Sequence, residues 1–171
     1  NGYEAIQDLY GSPMMALSDT IRAAITAPEG KILNVSDLGS IESRVLGWLA
    51  DCPRINEGFA KGLDTYKVFA SGFYKVPYDQ VTPQQRFFSK PPVLGCGFGL
   101  GGKGMVDYAD SMGVKMTAEE AQAAVDVFRN MYPEIVDFWS WCKDAVFYTT
   151  KTGNCCKGKH GLMTYARGEF L

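Results

Sequence analysis

The chain has 171 residues, of which 46% are hydrophobic and 21% charged, proportions typical of a globular domain with a buried core. Its formal net charge of -2, from 17 basic and 19 acidic residues, argues against a protein that coats nucleic acid non-specifically, but it allows a local basic cleft. The five cysteines form no Cys-x-x-Cys pair, so we expect reduced thiols and a cytoplasmic location. The sequence shows no signal peptide and no membrane-spanning run, and because it begins at Asn1 we expect it to be a piece of a longer protein.

The first 50 residues predict a helix, a strand and a second helix. Apolar residues at helical spacing predict the first helix over residues 14–27, which Pro28 ends. The apolar run at 31–35 follows a turn and predicts a buried strand. The apolar face of the second helix is predicted to contain Leu38, Ile41, Val45, Trp48 and Leu49.

Asp37 lies where this strand ends and the second helix begins. A carboxylate at the carboxyl end of a buried strand is held by rigid structure while its oxygens open to a cleft, which suits it for chemistry. Aspartate is also a common helix N-cap, because its side chain accepts hydrogen bonds from the first free N–H groups. The residues alone leave both interpretations open.

The rest of the chain predicts further helices and a final hairpin. Asp64 is placed to cap a helix, and residues 103–112 predict a short one. Thr117 opens a capping box at the start of a long helix, and a second long helix begins at Pro133. Their core-facing residues are predicted to be Ala121, Ala124, Val125, Phe128 and Met131 in the first, and Ile135, Phe138, Trp139, Cys142 and Val146 in the second. After Thr152 the chain is rich in glycine and predicts a loose hairpin.

Arg86, Lys90, Leu94 and Phe98 are spaced four residues apart, so on a helix they form one stripe. Two cations one turn apart suit an anion with several oxygens, such as a triphosphate, and the apolar end suits a base. The alternative is that the two cations are solvated and the two apolar residues belong to the core. The Pro91-Pro92 pair predicts a kink, or a regular helix that begins near Pro91.

Together, these segments resemble two motifs of family A DNA polymerases. Asp37-Leu-Gly-Ser-Ile41-Glu42-Ser-Arg44 is similar to motif A, whose pattern is Asp-Tyr-Ser-Gln-Ile-Glu-Leu-Arg. Arg86-x3-Lys90-x4-Gly95-x2-Phe98-Gly99 is similar to motif B, which lies on the fingers helix facing the incoming nucleotide. Asp64-Thr-Tyr66 resembles the start of a fingers helix. The resemblance covers residues 17–147 and looks closest to bacteriophage polymerases.

The resemblance implies a role for each matching residue of motif A. Asp37 would be one of two aspartates that hold two Mg²⁺ ions, and the Leu38 carbonyl would add a ligand. Glu42 would pack beneath the sugar and exclude a ribose 2′-hydroxyl. Between the two motifs, Tyr66 would reach the triphosphate where other members use histidine.

The residues of motif B would contact the nucleotide and the template. Arg86 and Lys90 would bind the triphosphate, and Leu94 stands at the position that contacts sugar and base. Phe98 and Gly99 would lie against the template.

The chain also departs from the family pattern. Leu38, Gly39 and Ser40 replace Tyr, Ser and Gln in motif A, and Leu94 replaces an aromatic residue in motif B. Nothing matches motif C, which carries the second catalytic aspartate, and neither a thumb nor an exonuclease segment is recognisable. We therefore expect a partial polymerase domain.

The expected fold is α+β and predominantly helical: a palm strand plus fingers helices of the right-hand polymerase fold, with the thumb and the motif C strand missing. Residues 1–50 would be the palm portion, residues 51–150 the fingers, and residues 151–171 the start of a glycine-rich return segment. The intact protein would be a DNA-directed DNA polymerase of the bacterial or phage-infected cytoplasm. It would use Mg²⁺, a DNA primer-template and dNTPs, with no membrane partner.

Three other functions are alternatives to a DNA polymerase. A single-subunit RNA polymerase is disfavoured, because Glu42 would crowd the 2′-hydroxyl that such an enzyme must accept. A non-catalytic helical module that binds nucleotide or DNA is compatible with the missing motif C. A plain helical interaction domain would require both motifs to be coincidental.

Overall fold

The computed structural model describes residues 2–10, 17, 20–21, 24–158, 160, 164–166 and 169–170. The chain divides into two compact units, Asn1–Gly39 and Ser40–Leu171. Helices predominate and the described strands are only two or three residues long, so the predicted α+β, mainly helical class is confirmed.

The first unit contains a helix that the sequence did not predict, α1 (Gly2–Tyr10). Residues 31–38 form neither helix nor strand, and Ile32 and Val35 are 90% and 87% exposed. The buried strand predicted at 31–35 is therefore wrong for this structure. A strand needs a neighbour for its backbone groups, and none of the described residues pairs with this segment. The helix predicted over 14–27 lies largely outside the described residues.

The second unit is built from helices joined by short turns. In chain order these are α2 (Ile41–Leu49), α3 (Pro53–Ala60), α4 (Thr65–Tyr74), α5 (Pro83–Phe88), α6 (Lys90–Gly97), α7 (Gly102–Ser111), α8 (Ala118–Met131) and α9 (Pro133–Thr152). A 3-10 helix at Tyr78–Gln80 lies between α4 and α5. The short helix predicted at 103–112 and the two long helices meeting at Pro133 are confirmed.

Two of these helices begin at the predicted caps. The Asp64 carboxylate accepts hydrogen bonds from the backbone N–H groups of Tyr66 and Lys67 at the start of α4. At the start of α8, the Thr117 hydroxyl accepts from the Glu120 N–H, and the Glu120 carboxylate accepts from the Thr117 N–H. These bonds satisfy donors that have no partner within the helix.

The proline pair interrupts the helix that carries the four-residue stripe. α5 ends at Phe88 and α6 begins at Lys90, with Ser89 between them. Because Pro91 and Pro92 carry no N–H, two carbonyls of α5 lose their usual donors. The prediction that the regular helix begins near Pro91 is confirmed, and the stripe is divided between two helices.

The core lies between α4, α6, α7, α8 and the first turn of α9. Its largest fully buried side chains include Phe69, Met105, Val125, Phe128 and Ile135. The predicted apolar face of α8 is confirmed, since four of its five residues are buried and Met131 packs against the core. In α9 the prediction holds for the first half only, because Val146 is 46% exposed.

The hairpin predicted after Thr152 is also confirmed. β1 (Cys156–Lys157) pairs antiparallel with β2 (Thr164–Ala166), which pairs antiparallel with β3 (Glu169–Phe170). Gly153 ends α9 with a φ of 71°, in the left-handed region that glycine adopts readily. Within the described ranges, no helix has both the length and the apolar character to cross a membrane.

Candidate functional site

An open groove of about 550 Å³ lies between α2, α6 and α9. Glu42 lies in α2 and Leu94 in α6, and Phe98 is the C-cap residue of α6. Phe138 and Trp139 of α9 complete an otherwise largely apolar wall. Glu42 and Leu94 are 52 positions apart in the sequence, so the fold brings these three predicted site residues to one groove.

One of the residues that line this groove is largely exposed to solvent. Phe98 is 77% exposed, although it follows a helix whose other residues are mostly buried. Gly99 follows with a φ of 78°, and its N–H donates to the Cys96 carbonyl at 2.9 Å. This left-handed residue follows the end of α6, and the exposed Phe98 ring beside it lines the groove.

A second cluster is built around the Asp64 carboxylate. One of its oxygens, Oδ1, accepts from the backbone N–H groups of Tyr66 at 2.9 Å and Lys67 at 3.2 Å. The other oxygen, Oδ2, accepts from Nε of Arg86 at 2.7 Å. The Asp64 N–H in turn donates to the Tyr78 hydroxyl at 3.0 Å. One carboxylate therefore ties α4 to α5.

Tyr66 stacks against the same arginine. The guanidinium carbon of Arg86 lies 5.2 Å from the centroid of the Tyr66 ring, within the range of a cation–π interaction. Burial raises the pKa of the Tyr66 hydroxyl above its usual value, the positive charge of Arg86 opposes this shift, and the negative charges of Asp64 and Glu42 add to it.

Lys90 is half-buried at the start of α6, with its ammonium 5.3 Å from the centroid of the Phe87 ring. Among the described residues it makes no ion pair. Its charge is therefore available to an anion. Arg86, in contrast, is paired and partly buried, so the alternative of two solvated surface cations does not describe it.

Asp37 and Leu38 belong to the first unit, and both are exposed. Asp37 does not cap α2, because the N-cap residue of that helix is Ser40, which makes no side-chain capping bond. The interpretation of Asp37 as an N-cap is therefore wrong.

The family model of DNA polymerase family A matches residues 12–157. This range includes the residues that line the groove and those of the Asp64 cluster. The chain belongs to DNA polymerase family A. The resemblance found in the sequence is thereby confirmed.

Relatives within DNA polymerase family A are much longer than this chain. The DNA polymerase of Bacillus phage SP02 is 32% identical over 161 residues, which cover 94% of this chain and 25% of the relative. DNA polymerase I of Pseudomonas aeruginosa is 30% identical over 118 residues, which cover 69% of this chain and 12% of the relative. The chain therefore spans a quarter or less of the length of these curated relatives.

A solved member of DNA polymerase family A has a similar fold. The POL domain of Pol1 from M. smegmatis, in complex with DNA primer-template and dNTP, matches with a TM-score of 0.53 and 26% identity. The match covers 73% of this chain and 20% of that domain. It therefore relates the fold to one part of a polymerase domain.

DNA polymerase family A implies divalent metal ions, and the described residues do not provide a complete site for them. No group of three or more His, Cys, Asp or Glu side chains among them is arranged to hold a metal ion. Asp37, the residue expected to bind metal, has a single exposed carboxylate. A two-metal site needs more carboxylate oxygens than this, so the residues described here fit one half of it at most.

The sequence does not reveal the second contact that the Asp64 carboxylate makes. The sequence predicts Asp64 as a helix cap only, yet Asp64 also pairs with Arg86, 22 positions along the chain. The opposite charges of the two residues were visible, but helical spacing relates only residues three or four apart. Contact between α4 and α5 brings the pair together.

Proposed function

We propose that this chain is the nucleotide-binding part of a DNA-directed DNA polymerase. The intact protein would transfer nucleotidyl groups from dNTPs to the 3′-hydroxyl of a DNA primer on a template. Membership of DNA polymerase family A supports this proposal, as do relatives that are DNA polymerases and a similar solved domain bound to primer-template and dNTP. Residues 1–50 would belong to the palm, residues 51–150 to the fingers and residues 151–171 to a return segment.

The observation that carries the proposal is that Glu42, Leu94 and Phe98 line one groove, although they come from different motifs. An apolar groove with one carboxylate at its edge suits a base and a sugar. Glu42 would lie against the sugar, Leu94 would contact sugar and base, and Phe98 with Gly99 would lie against the template.

Arg86 and Lys90 would bind the triphosphate, assisted by Tyr66. Arg86 presents a planar guanidinium suited to phosphate oxygens, and Lys90 adds a second positive charge that no described carboxylate neutralises. The Tyr66 ring supports the guanidinium from one side. These contacts would position the triphosphate, which accounts for much of phosphoryl-transfer catalysis.

Asp37 would bind magnesium with its carboxylate and Leu38 with its carbonyl oxygen. Bound Mg²⁺ would activate the primer hydroxyl and stabilise the leaving pyrophosphate. The second aspartate would come from residues other than these 171. The chain alone would therefore bind a dNTP without extending a primer.

Calorimetric titration of dATP into the 171-residue chain tests this proposal. Arg86→Ala should weaken dATP binding about tenfold or more, because a hydrogen bond to a charged group contributes about 1.5–3 kcal/mol and each 1.4 kcal/mol is a factor of ten. Lys61→Ala is the matched control, since it removes an equal charge from an exposed ion pair with Glu57. No dATP binding, or equal binding by wild type and Arg86→Ala, would contradict the proposal.

A further inference from the structure

We infer that Asp64 is a positioning residue for triphosphate binding: it holds Arg86 by Nε and leaves the two terminal amino groups of the guanidinium for the ligand. The inference rests on the proposed function, in which Arg86 binds the triphosphate. It adds a residue that contacts no ligand itself and acts through Arg86.

The two oxygens of the Asp64 carboxylate have separate tasks. Oδ1 accepts the backbone N–H groups of Tyr66 and Lys67, and Oδ2 accepts Nε of Arg86. The Asp64 side chain is 29% exposed and the Arg86 side chain 36%, so the pair is partly shielded from water. The N-cap bonds fix the carboxylate at the end of α4, and the carboxylate then fixes the guanidinium.

The atom that Arg86 uses in this pair is informative. Among the described residues, its only side-chain hydrogen bond uses Nε, at 2.7 Å from Asp64 Oδ2. The guanidinium has five N–H donors, four of them on its terminal nitrogens. A bond through Nε therefore orients the guanidinium plane, and the N–H donors on the terminal nitrogens remain available to bind two phosphate oxygens. The guanidinium carbon also lies over the Tyr66 ring, 5.2 Å from its centroid, and this contact further restricts the Arg86 side chain.

Asp64 could either position Arg86 or compete with the ligand for it, and these two roles predict opposite changes in anion affinity when the Asp64 charge is removed. If Asp64 competed with the ligand for Arg86, loss of its negative charge would tighten anion binding, because like charges repel. If Asp64 positions Arg86, loss of the Nε bond releases a long, flexible side chain, and ordering that side chain again weakens binding. Because Asp64 is also held as the cap of α4, it stays in place when Arg86 binds an anion. Positioning is therefore the effect that the geometry supports.

Asp64→Asn separates the two tasks of the carboxylate. Asparagine keeps one side-chain oxygen for the N-cap, and it is as good a cap as aspartate. Its amide nitrogen replaces the oxygen that accepts from Arg86, and an NH₂ group cannot accept that bond. The melting temperature of the 171-residue chain should therefore change by no more than about 4 °C, the shift expected from the loss of one partly exposed ion pair.

The test is calorimetric titration of inorganic tripolyphosphate into the wild-type chain, Asp64→Asn, Arg86→Ala and the double variant. Asp64→Asn should bind tripolyphosphate about fivefold more weakly than wild type, in line with one partly exposed ion pair. The double variant should bind as weakly as Arg86→Ala alone, because Asp64 acts only through Arg86. Glu57→Gln removes an equal charge from the exposed Lys61 pair and should leave the affinity unchanged.

The outcomes distinguish this inference from the proposed function. Equal or tighter tripolyphosphate binding by Asp64→Asn, with weaker binding by Arg86→Ala, would overturn the positioning role and leave the proposed function standing. A further loss in the double variant beyond Arg86→Ala would also overturn it. If Arg86→Ala had no effect, the proposed function itself would fail, and the inference with it.

Discussion

Replacing Gly47 by alanine should destabilise the second unit, whereas the same change at Gly58 should stabilise it. The two glycines are closely matched, because each is buried and each is the third residue from the end of its helix, α2 or α3. An added Cβ at Gly47 would lie 3.0 Å from the Ile55 Cβ and closer still to the Ile55 Cγ2 methyl. At Gly58 it would meet nothing within 4 Å.

The magnitudes follow from these surroundings. Both substitutions gain helix propensity, worth up to about 1 kcal/mol for glycine to alanine. At Gly47 the gain is opposed by overpacking of about 1–3 kcal/mol, since Ile55 is buried and its branched side chain has little freedom to move. The free energy of unfolding should therefore be about 1–3 kcal/mol higher for Gly58→Ala than for Gly47→Ala.

Urea unfolding of both variants, followed by circular dichroism at the helical minimum, measures this difference. Thermal unfolding should separate their melting temperatures by about 2–12 °C, because each kcal/mol shifts a domain of this size by about 2–4 °C. Equal stabilities for Gly47→Ala and Gly58→Ala would refute the close packing of α2 against α3 at Gly47.

Three further predictions follow from particular contacts. Burial and the neighbouring Glu134 raise the pKa of the Cys52 thiol from 9.0 to about 11, so at pH 8 Cys52 should react with a disulfide reagent far more slowly than exposed Cys155, and equal reaction rates would contradict this. Because the folded state holds the Cys52 proton more tightly than the unfolded state does, the free energy of unfolding should also fall as the pH rises from 9 to 11. Thr117→Ala removes one bond of the α8 capping box and should lower the free energy of unfolding by about 1 kcal/mol in urea titrations, whereas no loss would show that the cap contributes nothing. In a longer polymerase that contains this segment, Glu42→Ala should narrow the preference for dNTP over rNTP in single-nucleotide incorporation, and an unchanged ratio would remove Glu42 from the site.

Local signals in the sequence predicted much of the second unit. The α8 helix follows from a capping box, because Thr117 and Glu120 are three residues apart and satisfy each other's N–H groups. Asp64 follows as a cap because an aspartate carboxylate accepts from the first free N–H groups of a helix, here those of Tyr66 and Lys67. The interruption between α5 and α6 follows from the missing N–H groups of Pro91 and Pro92. Each of these features depends on neighbours within a few residues.

Features that depend on distant residues were less accessible. The strand expected at 31–35 did not form, because a strand requires a partner that the residues themselves do not specify. The bond between Asp64 and Arg86, like the groove shared by Glu42 and Leu94, depends on the packing of different helices. A family resemblance assigned roles to these residues, but it did not reveal which carboxylate holds which cation.

Primer extension tests the catalytic role of Asp37 in a longer polypeptide that contains this segment together with the remainder of a polymerase domain. Asp37→Asn should lower Mg²⁺-dependent dNTP incorporation by several orders of magnitude, because the carboxylate charge is needed to bind the metal ions. Folding should be unchanged, because Asp37 is exposed and caps no helix. Incorporation by Asp37→Asn at close to the wild-type rate would contradict the assignment of this chain to the catalytic part of a DNA polymerase.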